Sequence, residues 1–180
     1  MAISVPHYTV DDLDHFPDDG NRYELLDGVL IVTPSPTAGH QIICNRLQFR
    51  LTAALAVGGQ AHVVGPGAIS VPPKTQLQPD ILVYPSRFSP DLEWKKVTEH
   101  WLAVETLSRS SRMYDREFKR NAYFALGVAE VWLIDRRSKS VEVCNGPGQG
   151  KIVSDVIRWH VPSLDTIVAI DLAEMFAGFA

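Results

Sequence analysis

The sequence predicts an α+β fold in which a central mixed sheet is flanked by helices. Two observations predict it. Short apolar runs bounded by Gly, Pro, Asp or Ser recur along the chain and are typical of strands. Two longer segments, residues 41–57 and about 110–126, instead repeat apolar residues at helical spacing. Helices and strands therefore follow one another in an order that places helices on the faces of a sheet.

The length and composition favour one domain spanning residues 1–180. With 180 residues, 46% of them hydrophobic and 21% charged, the chain can bury a core of its own. The net charge of −4 provides no general attraction for a polyanion. Nucleic acid would therefore have to be bound by a local basic patch.

Cysteine usage and the amino-terminal residues indicate a cytoplasmic protein. Cys44 and Cys144 lie far apart without metal-type spacing, as expected of reduced thiols, although a single disulfide is also compatible with them. The first residues lack the basic and apolar regions of a signal peptide. No apolar run reaches bilayer length, so we expect no membrane partner.

Turn residues set the boundaries of the first elements. Asp27-Gly28 separates two strand-like runs, residues 23–26 and 29–32, which is a strong signal for a hairpin. Glu24 therefore lies on the first strand of that hairpin. Ser35-Pro36 can open the amphipathic helix, because a proline at the first helical position loses no hydrogen bond.

The second half of the chain alternates strands with one long helix. Apolar runs predict strands over residues 80–84 and 100–107. Ser110 or Ser111 then caps a helix to about Leu126, for which spacing predicts a buried stripe of Tyr114, Phe118, Ala122 and Ala125. The remaining apolar runs predict strands near residues 130–135, 139–144, 152–157 and 167–170, followed by a terminal helix from Asp171.

Acidic side chains within the apolar strands are the main functional signal. Asp80 opens one strand, and Glu105 lies near the end of the next. If these strands are antiparallel neighbours, the two carboxylates meet at one edge of the sheet. Buried carboxylates at that separation repel each other unless they share a proton or bind a cation. Hard oxygen ligands suit Mg²⁺ or Mn²⁺.

A lysine on the following helix completes this candidate site. Lys119 lies one turn after Asp115 and one turn before Tyr123, so the three residues share a helix face. Its ammonium group could lean over the carboxylates and stabilise the negative charge that develops on a phosphate under attack.

Structural interpretations of the same residues stay open at this point. Asp115 and Lys119 also fit a solvated helix pair. Asp80 could simply open a strand at the surface, and Glu105 could pair with Arg109 or Arg112. Glu24 is structural unless it reaches the same edge of the sheet.

The histidines give a weaker signal. They show no pair with zinc-type spacing, so a zinc site is not expected. His40 precedes the first long helix and could contact a phosphate, or it could form local hydrogen bonds only.

Taken in order, these residues resemble the Uma-type family of bacterial restriction endonucleases, which is placed in the PD-(D/E)XK nuclease superfamily. The resemblance covers about residues 20 to 145. The residues that carry it are Tyr23-Glu24-Leu25-Leu26-Asp27-Gly28, His40, Pro79-Asp80-Ile81, Val104-Glu105-Thr106-Leu107-Ser108, Asp115, Lys119, Tyr123, Gly127-Val128, Glu130, Trp132 and Asp135.

The resemblance implies a restriction-endonuclease-like core that hydrolyses DNA with Mg²⁺ or Mn²⁺. Asp80 and Glu105 match the metal-binding acids of the superfamily signature, and Glu24 matches an early acidic position. Leu107 stands where the superfamily usually has its lysine, and Lys119 is the expected substitute. The expected substrate contacts are His40 and Ser108.

The sequence therefore favours a Mg²⁺-dependent endodeoxyribonuclease with the catalytic residues Glu24, Asp80, Glu105 and Lys119. Two alternatives remain: a non-catalytic member that binds nucleic acid or protein through the same cleft, and a hydrolase of another phosphate ester. The apolar tail over residues 167–179 could bury against the core or against a second copy, and we expect a homodimer.

Overall fold

A computed structural model describes residues 6–108, 115–148 and 150–179, and for residues 115 and 116 the backbone alone. The strands are β1 (Arg22–Leu26), β2 (Val29–Thr33), β3 (Ala61–Val64), β4 (Ile69–Val71), β5 (Thr75–Leu77), β6 (Ile81–Pro85), β7 (His100–Thr106), β8 (Val128–Asp135), β9 (Ser140–Cys144), β10 (Lys151–Val153), β11 (Val156–His160) and β12 (Ile167–Asp171). The α-helices are α1 (Ala38–Leu51), α2 (Arg120–Ala125) and α3 (Leu172–Met175). Short 3-10 helices cover Val10–His15 and Trp94–Lys96, and π-helical turns cover Thr52–Ala56 and Asp115–Lys119.

The strands form three sheets. The largest has six strands in the order β10-β9-β8-β7-β6-β3, with β7 and β8 parallel and the other neighbours antiparallel. A second sheet has the order β2-β1-β5-β4, and β11 pairs with β12 in the third. β3 and β4, which lie on either side of Gly65-Pro66-Gly67, thus belong to different sheets.

The hairpin predicted at Asp27-Gly28 is present. β1 and β2 pair with Glu24 opposite Ile31 and Leu26 opposite Val29. Asp27 and Gly28 adopt φ angles of 51° and 81°, the left-handed conformation that a two-residue turn of this hand requires. The turn signal therefore predicted correctly that Glu24 lies on the first strand of a hairpin.

The first long helix begins later than predicted. Thr37, not Ser35, caps α1, and its Oγ1 accepts a hydrogen bond from the backbone N–H of His40 at 3.3 Å. Ser35 instead donates to the carbonyl of Gly20. α1 packs on the six-stranded sheet through Ile43, Leu47 and Leu51, and the π-helical turn that follows adds Leu55. All four side chains have no exposed surface.

The stripe predicted for the second long helix is wrong at Phe118 and Ala125, whereas Ala122 is half-buried against the core as predicted. Phe118 is 55% exposed and Ala125 is exposed, whereas Lys119, Arg120 and Tyr123 are buried. The π-helical turn over Asp115–Lys119 explains why different residues face the core. A π-helical turn is wider than a regular 3.6-residue turn, so the residues that follow it are rotated by about one position. Tyr114 and the predicted caps Ser110 and Ser111 lie outside the described residues.

The register of the central strands brings the acidic positions to one end of the sheet. β6 and β7 are antiparallel, with Ile81 opposite Val104, so Asp80 and Glu105 flank the same end of the pair. β7 and β8 run parallel, with Thr106 beside Ile134, so Asp135 and the residues after it reach this end as well. The end of the sheet where β6 begins and β7 and β8 finish therefore positions the candidate site.

The apolar tail packs on the core of its own chain. The buried members of the tail are Val168, Ile170, Leu172, Met175 and Phe176, and they share one core cluster with Ile157 and Trp159 of β11. The Trp159 ring meets that of Trp132 edge-on, with centroids 5.8 Å apart. A second copy is therefore not needed to cover the tail, and the homodimer stays a prediction. In the described part of the chain, no helix combines the length and the apolar character needed to cross a bilayer.

Candidate active site

Asp80 is buried at the start of β6 and is held by three donors. The backbone N–H of Thr106 donates to its Oδ2 at 2.8 Å, and Arg22 donates to its Oδ1 at 3.1 Å. His40 Nε2 lies 3.1 Å from Oδ2. Only 6% of Asp80 is exposed, so the carboxylate does not simply open a strand at the surface.

The His40 and Asp80 side chains form an ion pair at neutral pH. Burial lowers the pKa of His40, but the hydrogen bonds and charges of Asp80 and Cys44 outweigh it and raise this pKa to about 10. Burial would raise the pKa of Asp80, yet the hydrogen bond from His40 and the charges of His40 and Arg22 hold that pKa below its usual value. An imidazolium therefore faces a carboxylate at this point of the site.

Glu105 lies on β7 and is held from α2 and the turn before it. The Tyr123 hydroxyl donates to Glu105 Oε1 at 2.5 Å, and Lys119 Nζ lies 3.2 Å from the same oxygen. Complete burial and the negative charge of Glu105 raise the pKa of Tyr123 well above its usual value, so the phenol remains a donor. Arg109 and Arg112, the arginines considered as partners of Glu105, lie outside the described residues.

Lys119 joins Glu105 to the hairpin. Its Nζ donates to Glu24 Oε2 at 2.7 Å, and the other oxygen of Glu24 accepts the backbone N–H of Gln78 at 2.7 Å. Lys119 is 3% exposed and Glu24 has no exposed surface. Lys119 is therefore not part of a solvated helix pair, and Glu24 does reach the edge of the sheet where Glu105 lies.

These side chains border one cavity of about 450 Å³. Its lining residues are Arg22, Thr33, Pro34, Ser35, Pro36, Thr37, His40, Asp80, Glu105, Thr106, Leu107, Ser108, Lys119, Asp135, Arg136 and Arg137. Of the predicted site residues, Asp80, Glu105, Lys119, His40 and Ser108 line it directly. Glu24 supports it from behind through Lys119.

Three arginines of the cavity were not predicted from the sequence. Arg22 precedes Glu24 by two residues on β1, and side chains at this spacing share one face of a strand. This spacing is the sequence signal that could have identified Arg22 as a site residue. Arg136 and Arg137 follow the end of β8. Because β8 is parallel to the strand of Glu105, residues after both strands reach the same edge, but that pairing is not visible in the sequence.

The cavity combines carboxylates that could bind a divalent cation with basic side chains that could bind anionic groups. Asp80 and Glu105 supply hard carboxylate oxygens from two neighbouring strands, the type of ligand that suits Mg²⁺ or Mn²⁺. Lys119, Arg22, Arg136 and Arg137 supply positive charge around them. This donor set fits a metal ion that shares its site with a phosphate.

The comparisons with known proteins first identify the class of protein. The crystal structure of "a putative nuclease belonging to DUF820" from Anabaena variabilis ATCC 29413 superposes with a TM-score of 0.70. The two chains are 18% identical, and the match covers 93% of this chain and 97% of that one. The two chains therefore share a fold, and the predicted α+β architecture is confirmed.

The chain belongs to the Uma2 family, described as "Putative restriction endonuclease", whose model matches residues 10–173. The resemblance predicted from the sequence is thereby confirmed, and the family supports a nuclease. The search of curated proteins gives no match.

Proposed function

We propose that this protein is a Mg²⁺-dependent endodeoxyribonuclease that hydrolyses phosphodiester bonds in DNA. The observation that carries the proposal is the position of Lys119, whose Nζ lies 2.7 Å from Glu24 and 3.2 Å from Glu105. Leu107, at the position where the superfamily usually has lysine, is 6% exposed and packs in the core. The ammonium group missing from β7 is thus supplied beside the same carboxylate from the turn before α2.

Asp80 and Glu105 would hold the metal ion. When bound, Mg²⁺ or Mn²⁺ supplies a Lewis acid that activates water and neutralises charge on the phosphate. The backbone N–H of Thr106 fixes the orientation of Asp80, and the Tyr123 hydroxyl fixes that of Glu105. Orientation by fixed donors keeps both carboxylates ready for the cation before substrate arrives.

The remaining residues act on the phosphodiester. Lys119 would stabilise the negative charge that grows on the phosphate as water attacks and the bond to the leaving oxygen breaks. Glu24 positions Lys119 through their contact of 2.7 Å. Arg136 and Arg137 border the same cavity and could bind flanking phosphates of a DNA strand, with His40 and Ser108 as further contacts.

Cleavage assays and calorimetry test this proposal together. Supercoiled, linear and branched DNA are incubated with wild type and with Asp80→Asn in Mg²⁺ or Mn²⁺, and Mn²⁺ binding is measured without DNA. We expect cleavage by wild type alone and weaker Mn²⁺ binding by the variant. Equal cleavage by both proteins would contradict the site. Absence of both cleavage and Mn²⁺ binding at millimolar concentration would instead support the non-catalytic alternative.

Location and assembly follow from the same proposal. We propose the cytoplasm as the location, since Cys44 and Cys144 are both free and buried, as in a reducing compartment.

We also propose a two-fold homodimer, because cutting both strands of a duplex requires two sites and closed pairs are the commonest assembly. A monomer mass by light scattering would contradict the dimer.

A further inference from the structure

One face of α1 carries two metal-ligand types toward the start of β6. His40 and Cys44 are one helical turn apart and therefore share a face of the helix. Asp80 lies against that face. One atom from each side chain, an imidazole nitrogen, a thiol sulfur and a carboxylate oxygen, lies within 4.8 Å of the other two.

A small cavity adjoins these three side chains. It measures about 30 Å³, and besides His40, Cys44 and Asp80 its lining includes the polar side chains of Gln41, Asn45 and Gln48 and the guanidinium-bearing side chain of Arg22. A buried water needs roughly 10–15 Å³ measured in this way, so there is room for an ion and one remaining water ligand. The wall is completed by Gly65, where a Cβ would fall 2.7 Å from the carbonyl oxygen of Asp80.

The ligand atoms are held in place by a shared neighbour. Thr106 donates its backbone N–H to Asp80 Oδ2 at 2.8 Å, and its Oγ1 lies 3.3 Å from Cys44 Sγ. Cys44 is 6% exposed, as is Asp80. Neighbours that fix the orientation of ligands in this way are typical of metal centres, where their loss costs roughly 10–100-fold in affinity.

We infer that His40, Cys44 and Asp80 form a binding site for a divalent cation of the Zn²⁺ class. Thiolate, imidazole and carboxylate together are the ligands of Zn²⁺, whereas Mg²⁺ takes oxygen ligands only. Three protein ligands leave a fourth position for water.

The site differs in one respect from the expectation drawn from histidine spacing. That expectation considered pairs of histidines. Here a histidine and a cysteine at helical spacing meet Asp80, which lies 36 positions after Cys44 in the sequence. Asp80 would be shared with the Mg²⁺ of the proposed nuclease. Occupation by Zn²⁺ would therefore withdraw Asp80 from Mg²⁺, while Cys44 belongs to the Zn²⁺ site alone.

Cobalt spectroscopy of the full-length, chelator-treated protein tests this inference. Co²⁺ substitutes for Zn²⁺ in such sites and gives a near-ultraviolet charge-transfer band only when a thiolate is among its ligands. We expect this band to saturate at one Co²⁺ per chain, to disappear on addition of Zn²⁺ and to persist in excess Mg²⁺. No DNA is present, so the result does not depend on nuclease activity.

Cysteine variants locate the ligand. Cys44→Ser and Cys44→Ala should lose the band. They should also weaken Co²⁺ binding by more than roughly 100-fold, which is the upper limit for loss of a residue that only orients a metal ligand. Cys144→Ser is the matched control, since Cys144 is also buried but lies on β9, and it should keep the band. Circular dichroism confirms that each variant folds. A wild-type protein without the band, or a band that survives in a folded Cys44 variant, would overturn the inference.

Discussion

At the residue scale, the charge of Lys119 is the feature on which the candidate site depends. The side chain is 3% exposed and lies between two buried carboxylates, those of Glu24 and Glu105. A buried lysine is expensive to desolvate and is retained only where charges or hydrogen bonds compensate for the loss of water. Here the compensating groups are the acids of the site itself, which ties the stability of the protein to its proposed chemistry.

Replacement of Lys119 should separate these two roles. Lys119→Met leaves Glu24 and Glu105 buried without that cation, and we expect the free energy of unfolding to fall by about 3–5 kcal/mol. The double variant Glu24→Gln with Lys119→Met removes one of the carboxylates and should recover most of the loss. Urea denaturation measures both changes. Cleavage should be lost in both variants, and a single variant as stable as wild type would show that the ammonium group does not hold the two acids.

His100 makes a separate contribution to pH dependence at the residue scale. It is 4% exposed, and both ring nitrogens are buried without a hydrogen-bond partner among the described residues. Burial lowers the pKa of His100 from 6.5 to about 4. The unfolded chain therefore binds a proton below pH 6.5 that the folded protein does not bind until about pH 4, so stability falls as the pH drops through this window.

The pH effect can be measured as a difference between variants. At 1.36 kcal/mol per pKa unit, His100 accounts for up to about 3 kcal/mol of lost stability between neutral pH and pH 4. His100→Leu should therefore lose less stability than wild type over this range in denaturant titrations. His160→Leu, at an exposed histidine, serves as the control. Parallel curves for wild type and His100→Leu would contradict the assignment.

At the element scale, the hairpin turn positions Glu24 beneath Lys119. Gly28 has φ 81° and exchanges backbone hydrogen bonds with two other segments, donating to Lys74 at 2.7 Å and accepting from Tyr8 at 2.8 Å. A Cβ at this position would lie 3.0 Å from His7 Nδ1 and 3.3 Å from the carbonyl oxygen of Tyr8. The turn is therefore constrained both by its backbone conformation and by its neighbours.

Two glycine variants separate these constraints. Gly127 has φ 83°, but a Cβ there would meet nothing within 4 Å. Gly127→Ala should cost only the left-handed strain of about 1–2 kcal/mol. Gly28→Ala adds the contacts with His7 and Tyr8 and should cost more, as measured by thermal or denaturant unfolding. Equal losses for the two variants would mean that the chain around residues 7 and 8 yields freely.

The elements also show what local sequence can predict. The Asp-Gly turn and the apolar runs predict β1, β2, β6 and β7, because each signal lies within the element itself. The inward face of the helix after β7 was missed, since the π-helical turn over Asp115–Lys119 departs from the regular helical spacing on which the prediction relied. The division of β3 and β4 between two sheets was also beyond local signals, because it is set by distant partners, β6 for β3 and β5 for β4.

At the scale of the whole molecule, the charge of the site differs from that of the chain. The net charge is −4, yet the cavity brings together Arg22, Lys119, Arg136 and Arg137 from three separate parts of the sequence. This is the local basic patch that nucleic-acid binding would require. Sequence alone predicted the acids and Lys119 from an ordered series of motifs, but the arginines become neighbours only through the pairing of β7 with β8 and the docking of the hairpin.

Salt dependence of DNA binding tests the role of this patch. Arg137 lines the cavity and is exposed, and Arg137→Gln should weaken DNA binding and reduce the slope of log K against log salt by about 0.9. Lys151→Gln removes the same charge from an exposed position on β10, outside the cavity lining, and should change the slope little. Fluorescence anisotropy at several salt concentrations gives both slopes. Equal slopes for the two variants would place the DNA elsewhere.

The central claim is that Glu105, near the end of β7, takes part in DNA cleavage because it lies in the cavity. A comparison of two buried glutamates tests this claim most directly. Glu105 and Glu142 are each 4% exposed and each lies near a basic side chain, Lys119 for one and Arg120 for the other, but only Glu105 lines the cavity. Cleavage of supercoiled DNA in Mg²⁺ is measured for Glu105→Gln and Glu142→Gln. The account predicts loss of at least about 100-fold in rate for the first and near wild-type rate for a folded second variant. Full activity in Glu105→Gln would contradict it.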